Sequence, residues 1–146
     1  MPNETDLAYC AGLIDGEGYL GIIKSRSYNP NRKVRYRVRL SIQMKDQKTI
    51  KFVAKILNFR VLQIQPKQTV YPMFNATARE SLLQKILESL LPYLQEKKRQ
   101  AELLLEFIKL QKNWKKHWHG KRGLTDEFFQ QYEEYYKKCS HFSCRK

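Results

Sequence analysis

The chain has 146 residues, with 28 lysines and arginines against 14 aspartates and glutamates, a formal net charge of +14. At 42% hydrophobic and 12% aromatic it can bury a real core, which excludes an intrinsically disordered chain, and its length suits one domain. No run approaches the roughly 18 apolar residues of a membrane span, and an N-terminus carrying Glu4 and Asp6 is unlike a signal peptide, so a soluble intracellular protein with a polyanionic partner and no membrane association is expected.

Residues 6–14 (DLAYCAGLI) predict a short helix, with Thr5 or Asp6 as N-cap and Gly16 or Gly18 as the stop. Ala8, Ala11 and Gly12 fall at i, i+3 and i+4, leaving one face nearly bare. Glycine inside a helix costs roughly 1 kcal/mol against alanine, a loss that close helix packing would recover. Such packing is either internal or, since the chain has no second helix of this kind, against the same helix of another copy in a two-fold dimer. Directly behind follow Asp15, Gly16, Glu17 and Gly18. Two carboxylates at the negative end of a helix dipole call for a cation, and carboxylate and backbone carbonyl oxygens suit a hard divalent ion such as Mg²⁺. Two copies about a two-fold axis would bring two Glu17 side chains together, a layout suited to metal-assisted phosphodiester hydrolysis.

Residues 19–25 and 33–43 predict two strands of a hairpin turning at Asn29, Pro30 and Asn31. Charge is concentrated here: residues 1–23 carry −4, residues 24–55 carry +10, and residues 97–123 carry +7. Arg35, Arg37 and Arg39 alternate with Tyr36, Val38 and Leu40, which is the period of a strand with one apolar face and one row of guanidiniums. A row spaced at about 6.5–7 Å can follow a phosphate backbone or enter a groove, so nucleic acid is the expected partner.

Residues 46–58 predict a helix through Ile50, Val53, Ile56 and Leu57, and residues 61–66 and 69–76 a second pair of strands. TARE at 77–80 reads as a capping box opening a helix with Leu82, Leu83, Ile86, Leu87 and Leu90 as its stripe. A helix over 97–112, a basic aromatic loop (NWKKHWHGKRG) and a last helix over 125–138 complete the chain. The fold class is α+β, one domain, with a core over 1–112 and the loop and last helix over 113–146 belonging to it. Cys10, Cys139 and Cys144 have no disulfide-framework spacing, and the tryptophans of the basic loop read as packing groups.

AGLIDGEG at 11–18, the RxRxR strand ending in LSIQMKDQK, and LLPYLQEKKRQAELLLEF closely resemble the LAGLIDADG homing endonuclease family of the single-motif, homodimeric type. The resemblance implies an αββαββα fold with a C-terminal helical extension and an antiparallel β-saddle that binds duplex DNA. It implies metal-dependent double-strand cleavage of a long, near-palindromic site by an enzyme of the kind encoded within introns. Glu17 then binds the divalent metal with the Gly16 carbonyl, Mg²⁺ being the expected ion and Mn²⁺ or Ca²⁺ able to substitute for binding, while Asp15 is structural. Lys97 corresponds to the basic residue that stabilises developing charge. The position of the water-orienting polar residue aligns with Met44, whose thioether cannot serve; Gln43 is the expected substitute, with Gln47 or water alone as alternatives. The family's DNA-reading face maps to Lys24, Arg26, Arg35, Arg37, Arg39 and Ser41 of the first hairpin. From the second it takes Gln63, Gln65 and Lys67, with Tyr71, Met73 or Asn75 on the return strand. Ala8, Ala11 and Gly12 map to the dimer interface. Other family roles are an RNA maturase that binds its own intron RNA and a non-catalytic DNA-binding regulator, the latter disfavoured by the retained carboxylates. A bacterial or archaeal cytoplasm and an organelle are both compatible locations.

Overall fold

The computed structural model of the protein describes residues 2–25, 34–68, 70–117 and 126–143, apart from the side chains of 114–117, 126 and 143. In chain order the elements are α1 (Glu4–Glu17), β1 (Gly18–Ser25), β2 (Arg35–Met44), α2 (Gln47–Leu57), β3 (Arg60–Ile64), β4 (Met73–Thr77), a short 3₁₀ turn (Glu80–Leu82), α3 (Leu83–Leu90), α4 (Lys98–His117) and α5 (Asp126–Ser143). The strands form one sheet in the order β1-β2-β4-β3, with β4 antiparallel to both β2 and β3. The expected α+β architecture is therefore the observed one. The expected division at 112/113 falls inside α4, which runs on through the first residues of the basic loop. No helix among the described residues is long and apolar enough to cross a membrane.

Backbone contacts divide the chain into two compact units, Met1–Leu20 with Arg39–Lys98, and Gly21–Val38 with Arg99–Lys146. In the first, α1 is longer than the apolar pattern suggested because Asn3, rather than Thr5 or Asp6, caps it, its Oδ1 accepting from the Asp6 amide at 2.7 Å. Cys10, Ala11 and Ile14 form the buried stripe of α1, and Tyr9 meets Phe52 of α2 edge to face at 5.6 Å. Asp46 caps α2, accepting from the Thr49 amide at 3.2 Å and from its hydroxyl, and Asn58 ends it in the left-handed region at φ 55°. Ile50, Val53 and Leu57 of α2 are buried with Ile42 of β2 and Ala76 of β4. The capping box does not form. Thr77 is the last residue of β4, paired with Ser41 and Arg60, and its hydroxyl donates to Asn75 Oδ1 at 3.0 Å, so it is held in the sheet rather than over a helix start.

Gly18 ends α1 in ordinary extended backbone, so its need for glycine is one of space. Its amide donates to the Ile14 carbonyl, and a Cβ there would lie 2.7 Å from that oxygen and 2.8 Å from Ile14 Cα.

The second unit is centred on Tyr36, which is 5% exposed. Its ring meets Phe129, Tyr132 and Tyr136 of α5 edge to face at 5.8, 5.8 and 6.1 Å. Its hydroxyl donates to Glu133, and Lys24 donates to the same carboxylate at 3.0 and 3.1 Å. Burial and the Glu133 hydrogen bond push the Tyr36 hydroxyl pKa up, while the hydrogen bonds from Tyr36 and Lys24 hold Glu133 below the usual carboxylate range. Burial also raises the Cys10 and Cys139 thiols to about 11, so neither is a ready thiolate. Cys144 lies outside the described residues, among which no group of three or more histidine, cysteine or acidic side chains gathers as a metal cluster.

Gly18→Ala should lower stability by about 1–3 kcal/mol in chemical denaturation, because the atoms its methyl meets are backbone. Glu133→Gln should cost about 1–3 kcal/mol at neutral pH through its two charge-assisted partners. Because the folded-state pKa of Glu133 is depressed, that contribution is complete above the ordinary glutamate value of about 4.3 and is lost as pH falls through the folded value. Thermal melts of the two proteins should differ at pH 7 and pH 5 and converge at lower pH.

Candidate active site and nucleic-acid face

The acidic signature sits at the C-terminal end of α1, where the last carbonyls of the helix lack intrahelical donors and the dipole is negative. The last turn of α1 has no basic residue of its own. A cation arrives from 82 residues away. Lys97, only 8% exposed, donates from Nζ to the Asp15 carbonyl oxygen at 2.6 Å. The Asp15 carboxylate binds the same segment in return, its two oxygens accepting from the backbone amides of Gln95 at 2.8 Å and Lys97 at 3.0 Å. Asp15 thus caps the turn that leads into α4 and is committed to amide donors, whereas Glu17, the last residue of α1, is exposed. A Cβ at Gly16 would meet nothing within 4 Å outside its own helix, and Gly16 is exposed beside Glu17. An exposed carboxylate next to a helix-end carbonyl is a hard-oxygen donor set, the kind that Mg²⁺ or Ca²⁺ takes, and one chain supplies only part of the coordination such an ion needs.

The sheet sorts the expected DNA-contacting residues by face. Arg35, Arg37 and Arg39 of β2 are exposed and alternate with buried Tyr36, Val38 and Leu40. Gln43 is exposed on the same face as Arg39, opposite Asn75. Met44 is half-buried on the other face, opposite Phe74.

The structure places four of the expected residues differently. Lys24 is engaged within the chain, where Glu133 holds it and its ammonium lies over the Tyr36 and Tyr136 rings at 5.7 and 5.6 Å. Ser41 has the parity of Arg39 but is 7% exposed; its short side chain lies mid-sheet, opposite Thr77. Gln63 pairs with Phe74, which puts it on the face opposite Gln43 and the arginines. On α1, Ala8 and Gly12 are exposed as a bare face should be, but Ala11 is fully buried in the chain's own core with Cys10 and Ile14, one helical step away from that face. Gln65 and Lys67 are exposed beyond the end of β3, in the loop to β4, and Arg26 lies outside the described residues.

Arg60, Leu62 and Ile64 of β3 were not foreseen on the arginine face. Their register opposite Thr77, Asn75 and Met73 places them there. A groove of about 660 Å³ in the second unit, lined among others by Glu102, Glu106, Lys137 and His141, contains none of the expected site residues.

The fold is shared with solved structures. The chain superposes on the homing endonuclease I-CvuI in complex with its target in the presence of 2 mM Ca, with a TM-score of 0.75 and 23% identity, covering 96% of this chain and 85% of that one. It also matches I-CvuI in complex with an I-CreI target, with 2 mM Mg and the DNA not cleaved, at a TM-score of 0.62 and 25% identity over 95% of this chain and 99% of that one. An archaeal intron-encoded homing endonuclease complexed with DNA gives a TM-score of 0.73 at 15% identity, covering 95% and 84%. No curated protein matches the sequence. The family model of the LAGLIDADG endonucleases matches residues 10–116, which runs from the acidic helix through both hairpins and into α4, and the chain belongs to that family.

Proposed function

We propose that the protein is a sequence-specific homing endonuclease that cuts both strands of a long, near-palindromic DNA duplex as a homodimer, using a divalent metal. The observation that carries this reading is the helix end at which exposed Glu17 stands two residues from the Asp15 carbonyl that Lys97 grips. The family's solved members bound to target DNA, I-CvuI among them, support the choice of substrate.

Glu17 and the Gly16 carbonyl would hold a hard divalent ion, Mg²⁺ by donor chemistry, which when bound supplies charge neutralisation at the scissile phosphate. Lys97 contributes a fixed positive charge near that phosphate, held in place by the Asp15 contacts rather than by a mobile side chain. Gln43 is the amide proposed to orient the attacking water, with Gln47, the first residue of α2, as the alternative. Arg35, Arg37 and Arg39 contact the duplex from the exposed face of β2, as do Lys67 and Gln65 from the loop after β3.

The second copy completes the site. The bare face formed by Ala8 and Gly12 is where α1 of the partner would pack, and a Cβ at Gly12 meets nothing within 4 Å inside the chain. Bringing the two α1 ends together gives each strand of the duplex one Glu17.

Glu17→Gln should abolish double-strand cleavage while leaving duplex binding within a few-fold of the parent, measured by nicking and gel-shift assays in Mg²⁺; retained cleavage would overturn the metal assignment. Gly12→Leu should convert a two-chain species to a single chain in sedimentation velocity while keeping the helical spectrum, since the added side chain enters open space in the monomer.

A further inference from the structure

The sheet face that carries Arg39 and Gln43 also carries two apolar side chains that the fold does not bury. Register assigns them to it. Across the sheet, Arg60 lies opposite Thr77 and Thr77 opposite Ser41; Leu62 lies opposite Asn75 and Asn75 opposite Gln43; Ile64 lies opposite Met73. Residues directly opposite in an antiparallel pair project to the same side. The other side is defined by Val61, Ala76 and Ile42, the last two fully buried. Leu62 is 64% exposed and Ile64 36% exposed, on an edge strand where apolar surface is a liability in water. Asn75, between Leu62 and Gln43, is 7% exposed and its Oδ1 already accepts from Thr77, so Leu62 and Gln43 are the members of that row which project.

We propose that Leu62 and Ile64 are specificity-determining residues that read the C5-methyl group of thymine in the major groove. The inference rests on the duplex-DNA reading above. Arg60, two residues before Leu62 on the same strand, and Arg39 on the same face supply attraction to phosphates, but an apolar side chain gains nothing from a phosphate or from the polar base edges. The one apolar feature that a B-form major groove offers is the thymine methyl. Alternate strand residues stand about 6.5–7 Å apart and base pairs rise about 3.4 Å, so a strand laid along the groove sets the two readers over positions two base pairs apart. The preferred site therefore carries thymine at two positions separated by one base pair in each half.

The test uses the full-length protein and a randomised duplex DNA pool. Duplexes retained by the protein are sequenced, resynthesised with thymine or with deoxyuridine, which lacks only the methyl, and compared by titration. The expected result is a thymine pair with the stated spacing, and an affinity loss of about fourfold for each methyl removed. In the Leu62→Ala/Ile64→Ala protein the thymine and deoxyuridine duplexes should bind equally. Retention of duplexes with no dependence on the methyl overturns the proposal and leaves the DNA reading standing, as does a double variant that keeps the full thymine preference. Failure to retain any duplex overturns both. The comparison on the parent protein decides the matter by itself should the variant not fold.

Discussion

The end of α1 depends on a reciprocal clasp between Asp15 and the segment entering α4. A helix that finishes in Asp15-Gly16-Glu17 concentrates two negative charges and the negative pole of its dipole in one turn, and α1 has no basic residue there to offset them. Lys97 provides the missing charge, and Asp15 pins Lys97 by accepting from its backbone amide as well as from that of Gln95. Hydrogen bonds to charged groups are worth about 1.5–3 kcal/mol each, so the clasp is strong enough to fix the position of a buried ammonium.

That clasp distinguishes two acidic residues which look alike in the sequence. Asp15 has both oxygens committed to amides and is the structural member of the pair. Glu17 follows after Gly16, beyond the clasp, and is exposed. Gly18 then fits against Ile14 with no room for a side chain, which turns the chain directly into β1. A carboxylate on the last residue of a helix, with one residue between it and an anchored neighbour, has a defined origin and a free end. That suits the metal-holding role proposed for Glu17.

What could be read from the sequence alone divides along a physical line. Local patterns were legible: the apolar periodicity of α2 and α3, the alternation of β2 and the acidic helix end all lie within one element. Properties set by a neighbour were not. Gln63 and Leu62 are both exposed neighbours on one strand, and only the pairing of Leu62 with Asn75 and Gln43 decides which of them shares the arginine face. Ser41 has the right parity but is hidden mid-sheet, and the partner that holds Lys24, Glu133, lies 109 residues away in the sequence. Ala11 and Gly12, adjacent and both small, separate into core and surface only once the orientation of α1 against its neighbours is known. The TARE motif failed for the same reason, since the sheet claimed Thr77 first.

The same division bears on how a cationic face can be selective. Arginines at alternate positions, about 7 Å apart in water, repel by only about 0.6 kcal/mol per adjacent pair, so β2 can carry three of them without endangering a strand whose reverse face buries Tyr36, Val38 and Leu40. Their attraction to phosphates is nearly blind to sequence, because every base step presents the same backbone charge. Phosphate contacts therefore position the duplex, and under the proposed reading discrimination comes from contacts to base edges, which arginines as well as uncharged side chains can make. The uncharged groups that project from this face are Gln43, proposed above to orient water, and Leu62 and Ile64, with apolar surface that water does not reward. The net charge that first marks the chain as a polyanion binder thus accounts for the sequence-blind part of the proposed binding, and contacts to base edges would carry the rest.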